Sequence, residues 1–434
     1  MNSLTATIFI TDKCNLACKY CYEKDKATNI NNTRNIDKFL NLILTNKRFS
    51  EFDSIVIDFI GGEALLEYSL MEYAMEAFIM KCKSLNHKFL KNFTFFVSTN
   101  GTLFENKEIK AFLDRWPCLK VGVSLDGCKE AQDMNRVYKD GKGSYDTVMK
   151  SFEWWKNKYK TSMVKGTLSP DTLPLLDKML INQAKLGMKK LWANPIYEHD
   201  WTDDEGKIYK QKMFNVIDWI FANNKETEVE PLVSSPINAK DIKKVEGDSF
   251  HYCGTCNYMI TLGIDGKLYP CHRFATSTNH KYSIGDVDNG IDESKVKIFN
   301  DSLAKIDSEY IDTFDPICYS AYHDREGLFK NYNSIHNIIK YNKDIDLYWK
   351  EKLNYKKYKN KIILEINAST GEIYCDQDAS STSKDGLYNM INNLFMVSIR
   401  LLKIYKSVSK DDKKIDELVN RIILSLEDKK DGQA

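Results

Sequence analysis

Cys14, Cys18 and Cys21 stand with three and then two residues between them in the stretch Thr11-Asp12-Lys13-Cys14-Asn15-Leu16-Ala17-Cys18-Lys19-Tyr20-Cys21-Tyr22, so one loop can close them around a metal or a metal cluster. Iron-sulfur clusters and structural zinc both normally take four protein ligands. Three local thiolates therefore imply either a distant fourth ligand or a position left open for a small molecule. The chain has eleven cysteines, an odd number, and no export signal, which reads as free thiols of a reducing cytoplasm and not as a disulfide framework. Seven of them fall in motif-like positions: these three, then Cys253, Cys256 and Cys271, and Cys318. The other four, Cys82, Cys118, Cys128 and Cys375, are isolated, as small buried hydrophobes usually are.

The loop begins where a first strand, Leu4 to Ile10, should end, since that segment alternates Thr with apolar residues. Further strands are expected at Ser54 to Ile60, Phe93 to Val97, Leu119 to Ser124, Met163 to Leu168 and Lys190 to Ile196, with helical stretches between them. Strands that alternate with helices predict a parallel sheet, because parallel neighbours need crossover connections. In a curled sheet of this kind the active residues collect at the strands' C-terminal ends. Gly61-Gly62-Glu63, Ser98-Thr99-Asn100-Gly101 and Leu125-Asp126-Gly127 lie at three of those ends.

With 434 residues, several domains are expected. Lys plus Arg number 62 against 61 Asp plus Glu, so no global field favours nucleic acid or an anionic membrane as partner. No apolar run is long enough to span a bilayer, and a soluble, cytoplasmic protein is expected. The spacing predicts an amphipathic helix over Asp203 to Asn223 and a polar linker over 224–250. A hairpin follows whose turn is Asp265-Gly266, and a second is centred on Thr370-Gly371. Apolar residues at three- and four-residue spacing predict two closing helices, Leu387 to Tyr405 and Ile415 to Leu426.

The C-x3-C-x2-C pattern, with the aromatic Tyr20 before its last cysteine, resembles the signature of the radical S-adenosylmethionine (SAM) enzymes. The resemblance extends through Gly61-Gly62-Glu63, Asn100, Ser124, Arg136 twelve residues beyond it, and Gly141-Lys142-Gly143-Ser144-Tyr145. It implies an α/β fold: a partial (β/α)6 TIM-like barrel over 1–223, the linker, a small auxiliary-cluster domain with a β-hairpin over 251–340, and a mainly helical C-terminal region over 341–434. It further implies that Cys14, Cys18 and Cys21 hold a [4Fe-4S] cluster whose open iron binds SAM. Gly61 and Gly62 would approach the methionine part, Glu63 would neutralise the SAM ammonium and Tyr20 would pack near the adenine. Ser124 would bond the ribose and Arg136 the carboxylate side, with Asn100 and the strand end from Asn194 to Ile196 as further candidates. One-electron reduction then gives a 5′-deoxyadenosyl radical that abstracts hydrogen from unactivated carbon.

Cys253, Cys256 and Cys271, with Gly266 and Tyr269-Pro270-Cys271-His272-Arg273-Phe274, look like the opening half of a SPASM domain, the auxiliary-cluster module of radical SAM peptide maturases. Ser283-Ile284-Gly285-Asp286-Val287 is similar to that module too. Its second half is not intact: counted from Cys318, the other three cysteine places hold Ala321, Gly327 and Asn331. The resemblance then implies one auxiliary iron-sulfur cluster, as in the truncated Twitch form, held by Cys253, Cys256, Cys271 and Cys318. Cys375 or an iron open to substrate is the alternative for the fourth ligand. A Cys3His zinc ribbon using His272 is another reading of the same residues.

Relatives with such a module modify peptides. The expected function is a peptide or protein maturase that forms a thioether or carbon-carbon cross-link in a ribosomally made peptide. The alternatives are oxidation of a sulfatase Cys or Ser to formylglycine, against which stands Cys271-His272 where those enzymes have an acidic residue after the cysteine, and a non-catalytic peptide-binding or metal-ribbon protein. Expected partners are the peptide substrate and a small electron donor such as flavodoxin or ferredoxin. With no room for a leader-binding domain before Leu4, leader recognition is expected from the C-terminal helices or a separate protein.

Overall fold

In the computed structural model, residues 2–23, 26–231, 254–276, 282–310, 318, 320, 334–359, 364–366 and 373–375 are described. Cys253, most of the expected linker and the two expected closing helices lie outside them. The first four strands are β1 (Ser3–Thr11), β2 (Ser54–Gly61), β3 (Phe93–Thr99) and β4 (Leu119–Val123). They pair in parallel in chain order, Leu4 opposite Ile55, Ile57 opposite Phe95 and Val97 opposite Val121. On β2, Ile55, Ile57 and Phe59 are fully buried. Phe59 meets Phe95, which packs edge-on against Phe78 of helix α2 (Tyr68–Ser84). This face carries the hydrophobic contact between sheet and helices. Val56, Asp58 and Ile60 point the other way, into the curl of the sheet.

Helix α1 (Thr33–Thr45) follows the cysteine loop and buries Ile36, Phe39, Leu40, Ile43 and Leu44. It starts where the Asn32 side chain accepts a bond from the Asn35 amide, satisfying one of the free amides of the first turn. Helix α3 (Lys107–Arg115) is capped in the same way by Asn106.

Beyond β4 the chain continues through α4 (Lys129–Asn135) and α5 (Tyr145–Tyr159). Ser124 then pairs in parallel with Lys165, which leads into β5 (Gly166–Leu168). The expected sixth strand is broken in two, β6 (Lys190–Leu191) and β7 (Ala193–Pro195), with α6 (Leu176–Lys185) before them. The cause is Gln183 of α6, a buried amide that accepts from the Trp192 amide and donates to the Trp192 carbonyl, taking the place of a strand neighbour there. β5 pairs in parallel with β7, Thr167 opposite Asn194. Helix α7 (Asp203–Ala222) opens with a reciprocal Thr202–Glu205 capping box and buries Met213, Val216, Ile217 and Ile220. β8 (Glu230–Pro231) pairs with β6.

The hairpin read at Asp265-Gly266 forms, as β9 (Met259–Leu262) and β10 (Lys267–Tyr269). Gly266 has φ +77°, the left-handed value this turn requires. Its seat was not legible in the sequence. β9 lies parallel to β1, Thr5 opposite Met259 and Ile8 opposite Leu262, so it lengthens the barrel sheet on its free edge. β11 (Gly285–Asp286) and β12 (Gly290–Ile291) extend that edge further, giving an eight-stranded sheet. Residues Met1–Tyr348 make one compact unit and Trp349–Ala434 a second. In the second, the hairpin expected around Thr370-Gly371 is present as β13 (Leu364–Ile366) against β14 (Ile373–Cys375). Among the described residues no helix is long and apolar enough to cross a membrane.

Candidate active site

The loop after β1 is fixed by its backbone. Ala17 N–H donates to Val137 C=O at 2.7 Å and Lys19 N–H to Asn135 C=O at 3.0 Å, which ties the loop to the end of α4. The end of β2 lies directly on it, since Gly62 N–H donates to Thr11 C=O and Glu63 N–H to Lys13 C=O, both at 2.8 Å. A Cβ on Gly62 would stand 2.3 Å from the Lys13 carbonyl oxygen and 2.6 Å from that of Asp12. These are backbone atoms that no rotamer change can move. Gly62→Ala will therefore push the cysteine loop off its seat, with an expected loss of about 1–3 kcal/mol of stability. SAM cleavage should fall at least about tenfold with it; unchanged turnover and thermal midpoint would show that this approach is not needed.

Cys14 is buried and Cys18 and Cys21 are half-buried. Burial raises the Cys14 and Cys18 thiols, and each is raised further by a neighbouring thiol, Cys21 for Cys14 and both Cys21 and Cys14 for Cys18. The opposing cations are Lys26 and, for Cys18, Arg136. Leu16 N–H also donates to Cys14 Sγ at 3.4 Å. Cations beside these thiols suit an anionic thiolate cluster. Among the described residues no three His, Cys, Asp or Glu side chains converge as one metal ion would demand. A [4Fe-4S] cluster asks less convergence, because each thiolate binds its own iron.

Glu63 and Asn100 are brought to the loop. Glu63 is 1% exposed; its carboxylate accepts from Thr99 Oγ1 at 2.8 Å and from the Asn100 amide at 2.7 Å. Burial pushes it up to about 7 against the pull of these bonds. The Asn100 side chain donates to Asn15 Oδ1, and Asn15 donates to Thr102 Oγ1, which joins the end of β3 to the cysteine loop.

Tyr20 and Arg136 meet at a residue that sequence reasoning did not assign. The Tyr20 hydroxyl donates to Asp126 Oδ2, while Asp126 Oδ1 accepts from Arg136 Nε at 3.1 Å and from the Thr167 amide at 2.9 Å. The guanidinium of Arg136 stands 5.3 Å over the Tyr20 ring. Asp126 is fully buried and its own amide donates to Gln132 Oε1. The sequence signal was present: an acid at the end of an apolar strand must be buried and paired. Ser124, half-buried, stands at the bridge to Lys165. Asn194 pairs with Thr167, and the Ile196 amide donates to Leu168 C=O, so both are at the strand-end rim.

The second cysteine set stands before β9 and after β10, at the end of the sheet where β1 begins. Cys256, 3% exposed and in the left-handed region at φ +62°, and Cys271, 8% exposed, sit at the base of the β9–β10 hairpin. The Cys256 amide donates to Pro270 C=O. Burial pushes the Cys256 thiol up to about 11, opposed by Arg48. Beyond Cys271, Arg273 lies 4.5 Å over the ring of Tyr22, the residue after Cys21, and His272 is 6.2 Å from the same ring. Cys318 is half-buried; Ser320 donates to the Arg273 carbonyl at 3.1 Å, so this segment runs beside the hairpin base.

Deeper in the curl lies Asp58. Burial pushes its carboxyl from the ordinary 3.8 up to about 6, opposed by Lys165. Between those pH values the folded chain keeps a proton that the unfolded chain has released, so stability falls as pH rises through the window. The expected slope is up to about 1.4 kcal/mol per pH unit. Asp58→Asn will lower the slope toward what the likewise raised Glu63 leaves, which thermal midpoints measured across pH 4 to 7 would show; an equal slope in the variant assigns it to Glu63 and other groups.

Residues 8–171 match the family model described as the Radical SAM superfamily. A cysteine-type anaerobic sulfatase-maturating enzyme of Clostridium novyi (strain NT) is 25% identical over 319 residues, covering 68% of this chain and 78% of the relative. An uncharacterized protein of Methanocaldococcus jannaschii is 27% identical over 269 residues, 60% of this chain and 82% of that one. Among solved structures, native anSMEcpe with bound AdoMet matches with a TM-score of 0.57 at 18% identity, covering 82% of this chain and 99% of the other, a likeness of fold.

Proposed function

We propose, for a chain whose residues 8–171 are a radical SAM domain, that it is a peptide or protein maturase, most simply one that forms a thioether or carbon-carbon cross-link. As a radical SAM enzyme it implies a [4Fe-4S] cluster and SAM, which supply hydrogen-atom abstraction when bound. Cys14, Cys18 and Cys21 would hold the cluster, Gly61 and Gly62 would leave room for the methionine part, and Glu63, Asn100, Asp126 and Arg136 would fix the surrounding shell. The observation that carries the reading is the contact of Tyr22 with Arg273 and His272. It sets the residues after Cys21 and after Cys271 against each other, so an auxiliary cluster on Cys253, Cys256, Cys271 and Cys318 would face the same interior. Such a cluster would supply an acceptor for the second electron that cross-linking releases. Similarity to a sulfatase-maturating enzyme supports a protein substrate and keeps formylglycine formation as the second reading. A reducing cytoplasmic setting, a flavodoxin- or ferredoxin-like donor and a separate leader-binding partner complete the proposal.

Anaerobic reconstitution tests it. About four irons per chain mean one cluster and about eight mean two. Dithionite should drive 5′-deoxyadenosine formation, and candidate peptides should then lose two hydrogens. Capture by a hydrazide would reveal an aldehyde and favour formylglycine, whereas a product inert to hydrazide whose fragments stay joined favours the cross-link. Deoxyadenosine formation with no modified peptide would count against the maturase reading.

A further inference from the structure

On the inner face of the barrel sheet, Thr261 of β9, Thr7 of β1 and Asp58 of β2 stand side by side in register across three adjacent strands. Thr7 Oγ1, Thr261 Oγ1 and Asp58 Oδ1 are buried and have no hydrogen-bond partner among the described residues. Buried polar atoms are nearly always paired, so a row of three left open calls for a partner that the described residues do not supply. Lys165 reaches the same interior from the far side of the curl. It makes no ion pair among the described residues and bears on Asp58, His272 and Arg273 electrostatically. Its side chain is solvent-exposed. Asp58 precedes Gly61 by three residues, so the row lies about 10 Å below the strand-end rim.

We propose that this row is the substrate-anchoring site: Asp58 accepts a hydrogen bond from the S–H or O–H of the peptide residue to be modified, and Lys165 donates to an adjacent peptide carbonyl. The inference rests on the peptide reading above and assigns to it the residues that choose the target side chain. A free carboxylate oxygen selects donors, and Cys and Ser offer one where Ala does not. The raised carboxyl of Asp58, a consequence of its burial, agrees with a group to which the described residues bring no donor. An ammonium on a flexible stem, by contrast, distinguishes little among residues and grips the main chain.

The test uses the reconstituted, SAM-loaded protein and synthetic peptides of one common sequence whose central residue is Cys, Ser or Ala, with affinity read by calorimetry. Wild type should bind the Cys and Ser peptides about tenfold more tightly than the Ala peptide. Asp58→Leu, which leaves no acceptor, should erase that preference, and Lys165→Met should weaken all the peptides alike; iron content and thermal midpoint report that each variant is folded. A preference that survives in Asp58→Leu, or peptides bound by wild type with no preference, overturns the anchoring role and leaves the maturase reading standing. No binding of any peptide to wild type sinks both.

Discussion

Replacing Cys14, Cys18 and Cys21 together by Ala will reduce 5′-deoxyadenosine formation to the uncatalysed background and remove about four irons per chain, while the barrel stays folded. The loop does not depend on its thiols for shape. Its course is set by the bonds of Ala17 to Val137 and Lys19 to Asn135 and by the strand end of β2 laid on it. The substitution deletes only one weak acceptor, Cys14 Sγ, for the Leu16 amide. The thermal midpoint of the iron-free variant should therefore stay close to that of the iron-free wild type. SAM cleavage at the wild-type rate in the triple variant would mean that the radical is generated elsewhere.

Asp126→Ala should have the largest effect on stability. It strips three donors of their acceptor: the Tyr20 hydroxyl, Arg136 Nε and the Thr167 amide. Arg136 is left charged and only 7% exposed, and removing one partner of a buried pair typically costs about 3–5 kcal/mol. Activity should fall with it, since Tyr20 and Arg136 lose the group that holds them together beside the cysteine loop. Asp126→Asn with Arg136→Met should recover a large part of the stability, because no charge then remains buried, without recovering SAM cleavage. Urea denaturation of the iron-free proteins measures the first effect and deoxyadenosine yield the second. A single variant within about 1 kcal/mol of wild type would show that water replaces the carboxylate.

The parallel barrel and the rim of functional strand ends were legible because periodicity and glycine placement are local properties of the chain. Four strands fell where alternation put them, and Gly61-Gly62-Glu63 stands at the end of the second, where it was read; that its backbone lies on the cysteine loop was not read from the sequence. The sixth strand was not legible, since its break at Trp192 depends on an amide from the neighbouring helix. Asp58 and Lys165 were passed over: a charge inside an apolar strand is visible in the sequence, but which residue faces it across a curled sheet is not.

By itself the sequence determined the cysteine loop, because cysteines three and four residues apart are held close by the chain that joins them. Tertiary structure alone decided what surrounds that loop. Tyr20 meets an acid 106 residues away, and the hairpin at Met259 lies beside Thr5 and not in a separate sheet. Partners so distant along the chain are selected by the packing and register of the whole sheet, and no local propensity encodes that choice.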